Sequence, residues 1–119
     1  MKTEFFYIYI LECSNGKFYT GYTNDIKKRY ADHVSGKASK FTRSFKPVRI
    51  AACWKLYGNK GDALKVEAMI KRMKRDAKEI LIQSPGKLNK LIYQKLDIEP
   101  RIRKLSRKHL TAPWLTSAV

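Results

Sequence analysis

Acidic residues are scarce in this sequence of 119 residues, where 10 Asp and Glu stand against 26 Lys and Arg. The formal net charge of +16 at pH 7 is far larger than solubility requires. An excess of this size indicates a polyanionic partner, which is either nucleic acid or an anionic membrane surface. Nucleic acid is the better candidate, since no predicted helix combines a large apolar face with a continuous basic one.

Long apolar segments and cysteines are also scarce. No apolar run approaches the ~18 residues of a membrane-spanning helix, and the first apolar segment contains Glu4 and lacks the small-residue cleavage site of a signal peptide. Cys13 and Cys53 have no partners at metal-ligand spacing, so each is predicted to be a buried thiol. We therefore expect a soluble, cytoplasmic protein of one domain with a single modest core.

Residues 7–33 organise the N-terminal half of the chain. Residues 4–13 are apolar or aromatic on both faces, which predicts a central strand. Asn15-Gly16 then predicts a type I′ hairpin turn, and residues 18–22 predict a strand that returns antiparallel. Gly21, near the end of this second strand, allows backbone or ligand to approach closely.

Two tyrosines, an arginine and a histidine lie at fixed offsets in this segment. Tyr9 belongs to the first strand and Tyr19 to the second, so the hairpin can bring them close together. A helix capped by residue 23 or 24 is predicted to run to about residue 36. Arg29 and His33 are four residues apart on this helix and therefore share one side of it. We predict that these four polar residues form one site.

Residues 34–61 contain seven basic side chains and no acidic one. The first part, residues 36–47, has the composition of a loop, with Phe41 and Phe45 among the charges. A charged run is commonly a solvated surface, but 28 residues without a carboxylate favour a phosphate-binding face. The candidate nucleic-acid-binding residues are Lys37, Lys40, Arg43 and Lys46.

The remaining periodicities complete an α+β fold. Residues 48–57 predict a third strand, and residues 63–82 predict the longest helix, which Asp62 caps. Glu67 falls ~85° from the centre of the apolar stripe of that helix, near the core boundary. Residues 84–86, Ser-Pro-Gly, are predicted to end this helix, and a short amphipathic helix is predicted around residues 88–96. We assign residues 1–97 to one domain and residues 98–119 to a basic C-terminal tail, either mobile or in contact with nucleic acid.

These features together resemble the GIY-YIG endonuclease family over about residues 5–83, with the nearest likeness to its small stand-alone bacterial members. The motifs that carry the resemblance are Tyr7-Ile8-Tyr9, Tyr19-Thr20-Gly21, Arg29, His33 and a helical Glu67. The resemblance implies a small three-stranded antiparallel sheet flanked by helices, in the order β-β-α-β-α plus a C-terminal helix. Two positions depart from the family pattern: Tyr7 replaces the glycine of the first motif, and Thr20 replaces the usual aliphatic residue of the second.

The resemblance also implies roles for the site residues. Tyr9 and Tyr19 match the motif tyrosines, Arg29 the catalytic arginine and Glu67 the single metal-ligating carboxylate, while His33 matches a histidine found in a subset of the family. One Mg²⁺ or Mn²⁺ ion on Glu67 would act as a Lewis acid, and Arg29 suits a bidentate hold on the scissile phosphate. Tyr9 is the candidate base or water-positioning group, and His33 is the rival base. Tyr19 is predicted to orient the phosphate or the water.

We therefore expect a metal-dependent endonuclease that hydrolyses phosphodiester bonds in DNA and serves DNA repair or recombination. The small size leaves little room for base readout, so we predict recognition of DNA structure or of single strands. Stacking of Phe41, Phe45 or Trp114 on bases, or a partner protein, would supply the specificity. RNA stays open as the substrate, because no contact to a 2′-hydroxyl is identifiable. The alternative is a basic DNA- or RNA-binding protein that keeps the fold without the chemistry.

Overall fold

The structure, a computed structural model, describes residues 4–96 and 102–104. Within these residues the chain forms four strands and five helices. The strands are β1 (Phe5–Cys13), β2 (Phe18–Thr23), β3 (Pro47–Tyr57) and β4 (Ile102–Lys104). The helices are α1 (Ile26–Ser35), α2 (Lys40–Ser44), α3 (Lys60–Arg72), α4 (Arg75–Gln83) and α5 (Lys87–Leu96). None of these five helices combines the length and the apolar character that spanning a bilayer requires.

The strands form one antiparallel sheet in the order β2-β1-β3-β4, with β1 inside it as predicted. The predicted α+β architecture, an antiparallel sheet of β1, β2 and β3 flanked by helices, is confirmed. β4 adds a short strand at the outer edge of β3, where Lys104 pairs with Trp54. Sequence reasoning had placed this segment in the C-terminal tail, and the rest of that tail, with Trp114, lies outside the described residues.

The turn between β1 and β2 sets the register of the site. The Gly16 N–H donates to the Cys13 carbonyl at 2.8 Å, and the Cys13 N–H donates to the Lys17 carbonyl at 2.9 Å. Gly16 has φ +79°, in the left-handed region that favours glycine. The predicted hairpin is present, but its loop contains the three residues 14–16 and closes with a left-handed glycine. The predicted two-residue type I′ turn is therefore wrong.

The sheet separates two hydrophobic cores. On one face, residues of α3, α4 and α5 cover Ile8 and Ile10 of β1. On the other face, residues of α1 and α2 cover Tyr9 and Leu11 of the same strand. We call these the large core and the small core. Cys13 and Cys53 are free and buried, as predicted.

The helix that leads into the site differs from the prediction at its start. Asp25, rather than residue 23 or 24, caps α1, and its carboxylate accepts from the Lys28 N–H at 3.1 Å. The segment of residues 36–47, predicted as a loop, contains α2. Ser39 caps this short helix by accepting from the Thr42 N–H at 3.1 Å. Because α2 has only five residues, the sequence offers no apolar periodicity that would reveal it.

The long helix predicted over residues 63–82 is two helices, α3 and α4. Met73 and Lys74 have extended backbones, with ψ 143° and 159°. The apolar stripe stays in phase across this break, and neither glycine nor proline marks it, so periodicity alone predicts one helix. At the start of α3, Asn59 rather than Asp62 is the cap. The Asn59 side chain accepts from the Asp62 N–H, and the Asp62 carboxylate accepts from the Asn59 N–H, which together form a capping box.

Candidate active site

Tyr9 lies at the centre of the candidate site, on the inner strand β1. Its ring crosses β2 at Gly21, its cross-strand partner. A Cβ at Gly21 would lie 2.6 Å from Cζ of Tyr9 and would overlap the hydroxyl, whereas carbon atoms in contact are about 3.5–4.0 Å apart. Only glycine therefore leaves room for the ring. Tyr9 is 1% exposed, so its hydroxyl has almost no access to bulk solvent.

His33 contacts the Tyr9 hydroxyl from the last turn of α1. Its Nε2 lies 2.8 Å from the phenol oxygen, and its Nδ1 lies 2.8 Å from Oγ1 of Thr42. Both ring nitrogens are thus hydrogen-bonded, which fixes the orientation of the imidazole. Gly36, with φ +82°, ends α1 directly after this turn. His33 and Thr42 are fully buried, so this hydrogen-bonded group lies inside the small core.

Tyr19 closes the other side of the imidazole. Its ring meets that of His33 edge to face, with centroids 5.0 Å apart and planes at 64°. Phe41 of α2 stacks on Tyr19 with centroids 6.1 Å apart and planes at 22°, and Phe45 follows 5.5 Å from Phe41. We call Tyr19, Phe41 and Phe45 the aromatic row. It extends from the buried imidazole to Phe45, whose side chain is 40% exposed.

Arg29 lies one helical turn before His33, beside the Tyr9 phenol. The adjacent Tyr9 phenol raises the pKa of the guanidinium, which stays a permanent cation. Its Nε is buried and has no hydrogen-bond partner within the described part of the chain. Buried donors without partners are rare in folded proteins. A guanidinium with an unpaired donor is a candidate partner for an anionic ligand.

Burial shifts the pKa values of Tyr9 and His33 in opposite directions. Desolvation raises the pKa of Tyr9 to about 12, although the adjacent Arg29 opposes the rise. Desolvation, reinforced by the charge of Arg29, lowers the pKa of His33 to about 4. At pH 7 the phenol is protonated and the imidazole is neutral, with one proton on one of its two nitrogens.

These pKa values bear directly on the choice of a base. A shift of about five units, which would make Tyr9 a phenolate at pH 7, requires roughly 7 kcal/mol. The neutral ring of His33 can accept a proton, but the resulting imidazolium would be buried next to Arg29. Neither residue alone is a ready base. Their hydrogen bond makes them one unit rather than rivals.

Glu67 pairs with Lys71 and shares no hydrogen bond with these residues within the described part of the chain. It lies on α3, which packs against the opposite face of the sheet. Its side chain is 15% exposed and its Oε1 lies 3.2 Å from Nζ of Lys71. Its charge raises the pKa of Tyr9, although burial, Arg29 and Tyr19 have larger effects. The structure thus brings Tyr9, Tyr19, Arg29 and His33 together, and Glu67 acts on them through space.

Glu67 is the residue of this group that could hold a divalent metal ion. Across residues 4–96, no three His, Cys, Asp or Glu side chains cluster as metal ligands. Mg²⁺ commonly keeps several waters and binds through one or two carboxylates together with substrate phosphates. A partly exposed carboxylate, held by one side chain that is itself 51% exposed, fits that mode. The donor set therefore fits an ion that binds together with nucleic acid.

The four predicted nucleic-acid-binding residues surround α2. Lys37 follows α1, Lys40 and Arg43 lie on α2, and Lys46 precedes β3, all of them exposed. None of the ion pairs between described residues includes them. Lys46 also has a structural role, because its Nζ donates to the Val34 carbonyl at the end of α1, at 2.8 Å. The other three are exposed cations without such a structural contact among the described residues.

Sequence reasoning missed Thr42 and Ser39. Thr42 binds Nδ1 of His33, and its Oγ1 lies 2.8 Å from Oγ of Ser39. The spacing Ser39-x-x-Thr42 is that of a capping residue and its N3 partner, which could have indicated α2. No local pattern could have shown that the hydroxyl of Thr42 points at His33, because that contact depends on how α1 and α2 pack.

Known proteins similar to this chain were identified by sequence and by structure. The family model described as the GIY-YIG catalytic domain matches residues 5–80. The UPF0213 protein BH0048 of Halalkalibacterium halodurans is 42% identical over 80 residues, which cover 67% of this chain and 84% of the relative. A UPF0213 protein of Streptococcus pneumoniae is 40% identical over 87 residues, which cover 73% of this chain and 87% of the relative. The solution NMR structure of the UPF0213 protein BH0048 from Bacillus halodurans is 39% identical and covers 71% of this chain and 93% of that one, with a TM-score of 0.44.

Proposed function

The chain belongs to the GIY-YIG family, and from that membership we propose that it is a metal-dependent endonuclease that hydrolyses phosphodiester bonds in DNA. The observation that carries the proposal is the guanidinium of Arg29. Its Nε is buried without a partner, directly beside the hydrogen-bonded pair of Tyr9 and His33. A scissile phosphate is the ligand that best satisfies this donor.

Arg29 would hold the scissile phosphate and stabilise charge on its oxygens. Its planar guanidinium can form two parallel hydrogen bonds to phosphate oxygens. Arginines in comparable positions of phosphoryl-transfer enzymes contribute ~10³-fold or more to the rate. When Arg29 turns toward the phosphate, it leaves the Tyr9 hydroxyl free for the attacking water.

Tyr9 and His33 would act together on the attacking water. The Tyr9 hydroxyl is closed to solvent in this conformation, so the attacking water would reach it once Arg29 turns toward the phosphate, and the deprotonated phenol would then take the proton of that water. Its hydrogen bond to Nε2 of His33 directs the phenol proton into the protein. Tyr19, which packs against the imidazole, holds this pair in position and orients the phosphate.

A divalent ion, when bound, would supply Lewis-acid stabilisation of the negative charge that develops on the phosphate and on the leaving group. Glu67 is the residue that would hold it. Lys71 would have to release the carboxylate first. Such i,i+4 pairs contribute only about 0.3–0.5 kcal/mol, so the release is easy.

The aromatic row favours substrates with unpaired bases. Phe45 is exposed at its outer end, and Lys40 and Arg43 lie on the helix that carries Phe41. Basic side chains next to aromatic rings bind single strands, because phosphates contact the charges and bases stack on the rings. We infer a structure- or single-strand-directed enzyme of DNA repair or recombination, with RNA as the second candidate polymer and a partner protein as a further source of specificity.

A non-catalytic nucleic-acid-binding protein is the second candidate function. The observation that favours it is the 1% exposure of Tyr9, whose hydroxyl is closed to solvent in this conformation. The pairing of Glu67 with Lys71 points the same way, since the carboxylate is engaged. Under this alternative, the exposed basic residues around α2 would bind the polymer, and no cleavage would follow.

A cleavage assay separates the two candidates. End-labelled single-stranded, duplex, flapped and branched DNA and one RNA of matched sequence are incubated with the protein in Mg²⁺, Mn²⁺ or EDTA. The variants Arg29→Ala and Glu67→Ala are tested beside Arg72→Ala, at an exposed position, and Glu79→Ala, which like Glu67→Ala removes a half-buried carboxylate from an i,i+4 ion pair. Binding of each substrate is measured in EDTA.

The nuclease proposal expects metal-dependent cleavage that Arg29→Ala and Glu67→Ala abolish, with binding retained by Arg29→Ala. Both control variants should cut like the wild type. Wild-type protein that binds these substrates but never cuts them would establish the binding-protein alternative. Cleavage that survives both Arg29→Ala and Glu67→Ala would show that the catalytic residues lie elsewhere.

A further inference from the structure

We propose that Thr42 and Ser39 extend the pair of Tyr9 and His33 into a relay that carries a proton from the buried phenol to the protein surface. The proposal rests on the proposed function, because it explains how Tyr9 could become a base. It assigns Thr42 and Ser39 as positioning residues. They act through His33 and need not touch the substrate.

Three contacts of equal length connect the four side chains. Tyr9 Oη and His33 Nε2, His33 Nδ1 and Thr42 Oγ1, and Thr42 Oγ1 and Ser39 Oγ are each 2.8 Å apart. Tyr9, His33 and Thr42 are buried, and Ser39 is half-buried at the start of α2. The chain of hydrogen bonds therefore begins inside the small core and ends at a group that solvent reaches.

The donors and acceptors along this chain permit two arrangements. In the first, Tyr9 O–H donates to Nε2, Nδ1–H donates to Thr42, the Thr42 hydroxyl donates to Ser39, and the Ser39 hydroxyl donates to water. In the second, every bond is reversed, so that Nε2–H donates to the Tyr9 oxygen. Each hydroxyl and each ring nitrogen is satisfied in both arrangements.

Passage from the first arrangement to the second transfers one proton to solvent. The phenol proton moves to Nε2, the Nδ1 proton to Thr42 Oγ1, the Thr42 proton to Ser39 Oγ, and the Ser39 proton to a water molecule, which becomes hydronium. Tyr9 is left as a phenolate that accepts from Nε2–H, and the electron pair of its broken O–H bond stays on oxygen. No residue of the relay other than Tyr9 changes its charge.

The relay answers a difficulty created by burial. Tyr9 is 1% exposed and cannot lose its proton directly to bulk water. Transfer that stopped at His33 would produce a buried imidazolium next to Arg29, and burial and the charge of Arg29 both lower the pKa of that ring. Because Nδ1 passes its own proton to Thr42 as Nε2 receives one, the imidazole stays neutral throughout.

The test compares the substitutions Thr42→Val and Thr42→Ser. Valine keeps the shape of threonine without the hydroxyl, whereas serine keeps the hydroxyl. Thr20→Val is the matched control, because the Thr20 hydroxyl is also buried but has no hydrogen-bond partner among the described residues. Ser39→Gly removes the last hydroxyl at the cost of only a few tenths of a kcal/mol in helix capping. It covers the case in which Thr42→Val fails to fold.

Two measurements are made on each variant. The first is kcat and KM for DNA cleavage as a function of pH. The second is the exchange rate of the His33 ring N–H with solvent, measured by NMR without DNA. The other titratable or charged groups that act on Tyr9 and His33 are retained in every variant: Arg29, Asp32, Tyr19 and Glu67.

The relay predicts that Thr42→Val and Ser39→Gly lower kcat by about tenfold or more and leave KM within about twofold, as expected when proton transfer alone is impaired. The rise of kcat with pH should move to higher pH, and the ring N–H should exchange more slowly. Thr42→Ser should restore the wild-type kcat and the wild-type exchange rate, and Thr20→Val should change neither of these two quantities. A Thr42→Val variant with wild-type kcat and a wild-type exchange rate of the His33 ring N–H would overturn the relay while leaving the nuclease proposal in place.

If no cleavage occurs at all, the exchange rate of the His33 ring N–H still decides. A slower rate in Thr42→Val supports the relay, and an unchanged rate rules it out.

Discussion

The Tyr9 hydroxyl lies 2.8 Å from Nε2 of His33, a contact between buried residues 24 positions apart in the chain. It connects the inner strand of the sheet to α1. Loss of either partner leaves the other with an unpaired polar atom inside the protein, which costs about 1–3 kcal/mol. The pair therefore supports the fold as well as the proposed chemistry, and substitutions must be judged on both.

Tyr9→Phe and His33→Phe should each reduce kcat by roughly 10²–10⁴-fold, because each removes half of one proton-transfer unit. The double variant should be no slower than the slower single variant, since residues that act as a unit have non-additive effects. Steady-state cleavage kinetics on the preferred substrate measure this. Effects that multiply in the double variant would show that the two residues act independently.

The free energy of unfolding should fall as the pH falls from about 6.5 to about 4. His33 has a pKa of about 4 in the folded protein and an ordinary value of ~6.5 in the unfolded chain. The unfolded chain therefore binds more protons in this window, and stability rises with pH across it. The full shift corresponds to about 3 kcal/mol.

Urea unfolding across this pH window, in the wild type and in His33→Phe, isolates that contribution. Other groups titrate equally in both proteins, so the difference between the two curves belongs to His33. The difference in the free energy of unfolding between the wild type and His33→Phe should shrink toward low pH, because protonation in the unfolded chain destabilises only the protein that contains His33. Curves that run parallel over the whole window would contradict the depressed pKa.

Gly21→Ala should destabilise the protein by about 1–3 kcal/mol, because the added methyl group overlaps the Tyr9 ring in a closely packed region. It should also reduce cleavage, since the ring must move away from His33. Gly86→Ala is the control: a Cβ there meets no atom within 4 Å, and the backbone is not left-handed. Urea unfolding and cleavage rates are compared for both. Equal stability of the two variants would contradict the close approach of Tyr9.

Thr20→Val should stabilise the protein by about 1 kcal/mol, because it replaces a buried hydroxyl that has no partner by a methyl group of the same shape. Thr42→Val should destabilise it, since that hydroxyl contacts both His33 and Ser39. The same chemical change thus has opposite signs at two buried positions. Thermal unfolding of both variants tests this, and a lower melting temperature for Thr20→Val would show that its hydroxyl has a partner after all.

The triple variant Lys37→Ala, Lys40→Ala, Arg43→Ala should weaken DNA binding and flatten its salt dependence. Each lost phosphate contact lowers the slope of log K against log salt by about one, so a loss of up to about three is expected. A triple variant at Lys65, Arg72 and Lys74 removes the same charge from exposed positions of α3 and the adjoining turn. An equal loss of slope in both would mean that DNA binds the net charge and not the surface around α2.

The sheet and the central group of the site were predictable because both depend on local patterns. Aromatic and β-branched residues on two faces identify an inner strand, and Asn15-Gly16 identifies the hairpin. Once β1, β2 and α1 are assigned, the offsets of Tyr9, Tyr19, Arg29 and His33 bring them together. The structure adds that Tyr9 and His33 share a hydrogen bond, where the sequence left them as rival bases.

The unpredicted features depend on tertiary packing. The break between α3 and α4 has no glycine or proline, and β4 is a three-residue strand that needs β3 beside it. Burial of the site, which raises the pKa of Tyr9 and lowers that of His33, follows from how α1 and α2 cover the sheet. The carboxylate of Glu67 pairs with Lys71, and its role as the metal ligand stays a prediction.

The division of the interior by the sheet has a consequence for synthesis on the ribosome. Among the described residues, the small core is built from the chain up to Cys53, whereas the large core also needs α3, α4 and α5. Domains are made N-terminus first, at about 5–20 residues per second. The strands and helices that hold Tyr9, Tyr19, Arg29 and His33 thus emerge before α3, α4 and α5. Until those later helices are made, Ile8 and Ile10 are exposed on the other face of the sheet. A nascent chain paused at this stage would have its candidate catalytic residues assembled, while the hydrophobic face of the sheet that belongs to the large core would still be exposed.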